Sequence, residues 1–149
     1  FVGLCTIDVI LDQFLEINCQ KLDKNDQICV VLETKRKDFY TRFYAGDGIA
    51  LSEPLSLPAD EILDRVKRNR CFLVGDGTYR FMKDQTTIPE TTHLFHGVDL
   101  CDPGRMARIA MDLSAGEGDD LNPIYLRGAD VSKPKIKYRE LEKKSMPFK

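Results

Sequence analysis

No run of apolar residues in this 149-residue chain approaches the ~20 residues that a membrane-spanning helix needs, so no membrane-spanning helix is expected within it. No charged-then-apolar leader opens it either. It begins on Phe1, and Phe1-Val2-Gly3-Leu4-Cys5 reads as the interior of a longer protein, so the chain is expected to be a piece of one. No G-x-S-x-G turn occurs, and only two histidines are present to act as a base, which argues against a serine-type triad. Gly75-Asp76-Gly77 and Gly46-Asp47-Gly48 lack both the Lys-Ser/Thr of a P-loop and the spacing of a dinucleotide fingerprint, so both read as tight turns. His93 and His96 with Cys101 give no four-ligand set, and no metal site is expected.

What is present suits one α/β domain with a tail. Apolar residues make up 42% of the chain, enough for a core. The five cysteines are odd in number and widely spaced, and some lie in apolar runs such as Ile28-Cys29-Val30-Val31. That pattern fits buried reduced thiols in a cytoplasmic protein better than a disulfide framework. Net charge is −2, but from Arg127 onward eight Lys/Arg face three Asp/Glu. The basic end would suit RNA or an acidic partner, and its plainer reading is a solvated tail.

Periodicity places the elements. Thr6 is expected to cap a helix carrying Ile7, Ile10, Leu11, Phe14 and Leu15 on one stripe. Ile28–Glu33 reads as a buried strand, Phe39–Tyr44 as an alternating strand, and Ile49–Glu53 as a third, ended by Pro54, completing an antiparallel meander. Pro58 opens a second helix, with Asp60 and Glu61 in its first turn and Lys67, Arg68 and Arg70 in its last. Cys71–Val74 is a strand, Tyr79–Met82 a short helix and His93–Phe95 a further strand. Asp102 and Pro103 start a helix striped by Met106, Ile109, Ala110 and Leu113 and ended by Gly116, and Ile124–Leu126 is a last strand. Glu33 and Asp38 flank the first hairpin, but nothing around them in sequence forms a pocket for acid–base work.

Several of these segments, taken in order, resemble the C-terminal half of the TsaB family. Glu33-Thr34-Lys35-Arg36-Lys37-Asp38-Phe39-Tyr40 resembles that family's Asp-Ala-Arg-x-x-Glu-Val-Tyr hairpin, with Glu33, Lys35 and Asp38 as departures that keep charge. Leu73-Val74-Gly75-Asp76-Gly77 resembles its Val-Gly-Asp-Gly strand end. Pro123-Ile124-Tyr125-Leu126-Arg127 is similar to its Pro-Val-Tyr-Leu-Arg segment, and Gly3-Leu4-Cys5-Thr6-Ile7 to its Gly-Val-Ser-Thr-Leu. Pro103 with Ala107 and Ala110 resembles the helix that follows that strand end.

The resemblance covers residues 2 to 130 and implies the following. The fold is α/β, a mixed β-sheet with an antiparallel meander and packed helices, the second half of a duplicated actin/RNase H-like (ASKHA) fold. Residues 1–128 form the domain and 129–149 a basic extended or disordered tail. The protein is a bacterial, cytoplasmic, non-catalytic scaffold of the tRNA threonylcarbamoyladenosine-modification complex. It supports a TsaD-like catalytic subunit beside a TsaE-like ATPase, self-pairs, meets tRNA through the complex, and carries no catalytic residue, metal or cofactor of its own. The family's pairing helices belong to the half not seen here, so the chain alone is expected to hold TsaD weakly. Lys35, Arg36, Tyr40, Tyr125 and Arg127 are the expected partner or RNA contacts. A glycoprotease-class peptidase and a small RNA-binding module are the alternatives.

Overall fold

The computed structural model describes residues 3–85, 87–113 and 122–127. Five strands form one mixed sheet: β1 (Gln27–Glu33), β2 (Asp38–Ala45), β3 (Leu55–Pro58), β4 (Cys71–Val74) and β5 (Thr92–Phe95). Their order is β3-β2-β1-β4-β5. β1 pairs antiparallel with β2, and β2 with β3. On the other side β1 pairs parallel with β4, and β4 with β5. This is the mixed α/β sheet with a meander that the sequence implies. The described residues hold one such sheet, and its duplication is not seen in them.

The pleat sends alternate residues to opposite faces, and both faces are covered. Ile28, Val30, Tyr44 and Val74 pack under helix α1 (Thr6–Asn18), against Ile7, Ile10, Leu11 and Phe14. Cys29, Val31, Phe39, Phe43, Cys71 and Leu73 meet Ile62 and Val66 of α2 (Ala59–Val66) and Phe81 of α3 (Thr78–Asp84). Central β1 serves both layers, which is why its apolar run is unbroken: Ile28, Cys29, Val30 and Val31 are all fully buried. Helix α4 (Pro103–Asp112) lies against α1, where Arg105 pairs with Asp12 and Glu16, and Gln13 bonds both Leu100 O and Asp102 N. Asp102 caps α4 by accepting from Arg105 N, and Pro103 occupies the first turn.

Several expectations are corrected. The N-cap of α1 is Cys5, extended and without a side-chain cap, because Thr6 already has helical backbone. The third strand is not at Ile49–Glu53. That stretch folds back on β2 through Ala45 N to Ile49 O and Leu51 N to Phe43 O, leaving one bridge at Ala50. Ile49 and Leu51 stay 64% and 58% exposed, whereas Leu57 is buried, so core burial selects 55–58 as the strand. Helix α2 ends at Val66 with Lys67 as its cap, which leaves Arg68 and Arg70 beyond it. Ile124–Leu126 forms no strand, and only Leu126 of the three is half-buried. Helix α4 ends at Asp112, its stripe of Met106, Ile109, Ala110 and Leu113 half-buried against its neighbours. Gly116 and the basic tail at 129–149 lie outside the described residues. No described helix is long and apolar enough to cross a membrane.

Candidate interaction site

The β1–β2 hairpin is held by side chains from distant parts of the chain. Thr34 Oγ1 donates to Asp38 O, Arg36 N donates to Thr34 Oγ1, and Lys35 takes a left-handed φ of 56° at the tip, its N–H donating to Glu33 Oε1. Behind the hairpin, Arg80 of α3 acts as a clamp. Its Nε donates to Glu33 Oε2 at 2.7 Å, Nη2 to Asp38 O at 3.0 Å and Nη1 to Asp84 Oδ2 at 3.2 Å, with the guanidinium 3.8 Å from the Phe39 ring centroid. This residue carries no sequence signal toward the hairpin, only an i,i+4 spacing to Asp84.

The Gly75–Gly77 turn belongs to the same structure. Asp76 Oδ1 accepts from Glu33 N at 3.0 Å, and Gly77 N donates to Val31 O at 3.0 Å. Gly75 has φ 111°, and a Cβ there would stand 2.5 Å from Val31 O. The turn is therefore spliced onto the end of β1 rather than opened as a phosphate cradle, and only glycine fits at its first position.

Electrostatics commit the two hairpin carboxylates. The hydrogen bond from Arg80 holds Glu33 below the usual carboxylate range. Asp38 is held low first by the Ser56 hydroxyl, which donates to Oδ2, and then by Arg127 and Arg36. Arg127 Nη1 lies 3.1 Å from Asp38 Oδ1. Both groups are engaged as anions, an arrangement suited to binding structure together rather than to donating a proton.

Asn122, Pro123, Ile124 and Leu126 line one part of a cleft of about 560 Å³ at the start of α1. Leu4, Cys5, Ile7, Leu32, Tyr40 and Pro54 line another part of it. Of the five expected contacts, Tyr40 lines the cleft, Arg127 pairs with Asp38 on the same strand, and Tyr125 is 83% exposed. Lys35 and Arg36 sit exposed at the hairpin tip. A second network, missed from sequence, ties α1 to the sheet: Asp8 accepts from Arg42 Nη1 at 2.9 Å and from the Tyr44 hydroxyl.

The other candidate chemistry is placed elsewhere. His93 stacks on Phe72 and His96 makes a tilted ring contact with Tyr79, and the described residues hold no group of three or more potential metal ligands. Cys29 and Cys71 are fully buried, and burial pushes the Cys29 thiol up to about 12 and raises that of Cys71 as well. Cys19 is exposed, and Cys5 and Cys101 are half-buried.

No protein-family model matches the chain, and no curated protein matches it in sequence. Among solved structures, its fold is similar to that of an uncharacterized protein with similarity to peptidase YEAZ from Pseudomonas aeruginosa, with a TM-score of 0.57 and 13% identity. The match covers 83% of this chain and 57% of the neighbour, so the chain spans little more than half of that protein's length. At this identity the likeness is one of fold.

Proposed function

We propose that this chain is the C-terminal domain of a TsaB-like scaffold subunit in tRNA threonylcarbamoyladenosine modification, supporting a TsaD-like catalytic subunit. The observation that carries this reading is the meeting of two segments far apart in sequence. The Glu33–Tyr40 hairpin and Pro123–Arg127 are the stretches most like the TsaB family, and Arg127 pairs with Asp38 across 89 residues of sequence. The likeness of fold to a YEAZ-similar protein supports it, YEAZ being another name for TsaB. The commitment of Glu33 and Asp38 to ion pairs and hydrogen bonds favours a scaffold over a hydrolase. In this reading Lys35, Arg36, Tyr40, Tyr125 and Arg127 face the partner subunits or the tRNA.

The test is reconstitution. The intact subunit carrying this chain should raise threonylcarbamoyl transfer to tRNA by TsaD-like and TsaE-like partners, and Lys35→Glu with Arg36→Glu should lower that gain without lowering thermal stability. The chain alone should cleave no peptide. Peptide hydrolysis, or stoichiometric iron or zinc in the purified chain by mass spectrometry, would overturn the scaffold reading in favour of a metallopeptidase.

A further inference from the structure

The cleft at the start of α1 is lined by the 122–126 segment without being filled by it. Residues 122–127 make no strand ladder to the sheet, and Ile124 and Tyr125 remain 60% and 83% exposed. Leu126 alone among Ile124, Tyr125 and Leu126 is half-buried, and about 560 Å³ stays open in the cleft that this segment lines together with Leu4, Ile7, Leu32, Tyr40 and Pro54. A segment that gave its side chains to the core would leave no such space, since protein interiors are close-packed.

A polar tie stands at the end of this segment. Arg127 Nη1 meets Asp38 Oδ1 at 3.1 Å, with the two side chains 35% and 15% exposed. The acceptor is held independently of its partner: the Ser56 hydroxyl donates to the other Asp38 oxygen, and Asp38 lies at the first position of β2, paired with Pro58 of β3. The donor is carried on a segment with little burial, so the tie is asymmetric, with a fixed socket and a releasable plug.

We propose that Asn122–Arg127 is a strap latched by the Arg127–Asp38 ion pair, and that its release opens the apolar side of the cleft around Tyr40. The inference rests on the geometry of the cleft and not on the scaffold role, so either can fail without the other. Partly exposed ion pairs weaken as salt rises, and the strap therefore opens more at high ionic strength.

Cys5 reports the motion, because it lines the cleft and is half-buried. The experiment alkylates the native chain with iodoacetamide and follows each cysteine by peptide mass spectrometry. Arg127→Ala should speed labelling of Cys5 about two- to fivefold, as loss of one partly exposed ion pair allows. Arg127→Lys, which keeps the charge, should fall closer to the original rate. Salt at about 1 M, where screening acts within ~3 Å, should speed Cys5 in the original chain and add little to Arg127→Ala. Cys29 and Cys71, fully buried in the sheet, are the control for intact fold and should stay unlabelled. An unchanged Cys5 rate in Arg127→Ala and at high salt would overturn the strap. So would a Cys5 rate that rises only together with those of Cys29 and Cys71, which would make the opening a general unfolding.

Discussion

Arg80 is the residue on which the hairpin end of the sheet depends. It bonds Glu33, Asp84 and the Asp38 carbonyl at once and covers the Phe39 ring. Arg80→Ala removes these charge-assisted bonds and leaves Glu33 without its strongest partner. Because both side chains of the Arg80–Glu33 pair are about one-quarter exposed, the cost is expected near 1–2 kcal/mol rather than that of a buried pair. The pH dependence carries the same signature. Glu33 and Asp38 have folded-state pKa values depressed below their unfolded ones, so their contribution is present above about pH 4 and is lost as pH falls through the depressed values. Urea denaturation at several pH values should show stability falling on acidification below that point, and Arg80→Ala should flatten the fall. A variant as stable as the original chain and equally pH-dependent would show that the clamp contributes nothing.

At the scale of elements, α1 is fastened by its apolar stripe rather than by its caps. It has no side-chain N-cap and no basic residue in its last turn, so little of its stability is local. Phe14, fully buried, holds it to the sheet through an edge contact with Phe95 at 4.9 Å and a tilted one with Phe72 at 5.8 Å. Phe14→Ala leaves a cavity between α1 and two parallel strands and should cost about 3–5 kcal/mol. Thermal melting checks it, and a loss within the ±0.5 kcal/mol of a surface change would contradict the packing. The stripe of α1 is plain in sequence because a 3.6-residue period shows one face. The third strand is not, because Ile49–Glu53 and Leu55–Pro58 are both short and apolar enough, and only the folded loop decides which reaches the core.

The described residues form one sheet shared by two helix layers. β1 sends Ile28 and Val30 to one core cluster and Cys29 and Val31 to the other, so neither cluster survives loss of the strand. Unfolding is therefore expected to be a single transition, with circular dichroism and tyrosine fluorescence tracing the same curve. Two separated transitions would mean that the α1 and α2 layers are independent. The same architecture brings the hairpin, the Gly75–Gly77 turn and the strap to one end of the sheet, where the proposed contacts of a scaffold subunit gather.

The amino-acid sequence by itself determined the element types. Period 2 in Phe39–Tyr44, the unbroken run at Ile28–Val31, the stripe of α1 and the Asp102-Pro103 start of α4 all encode local geometry and burial, which neighbouring residues suffice to express. The tertiary structure alone decided which strands pair in parallel, where β3 lies, and which charges meet. Arg80 finds Glu33 across 47 residues, and Arg127 finds Asp38 across 89. No local pattern records such distances, because a charged side chain on a surface position looks the same in sequence whether it faces water or an ion partner brought there by the fold.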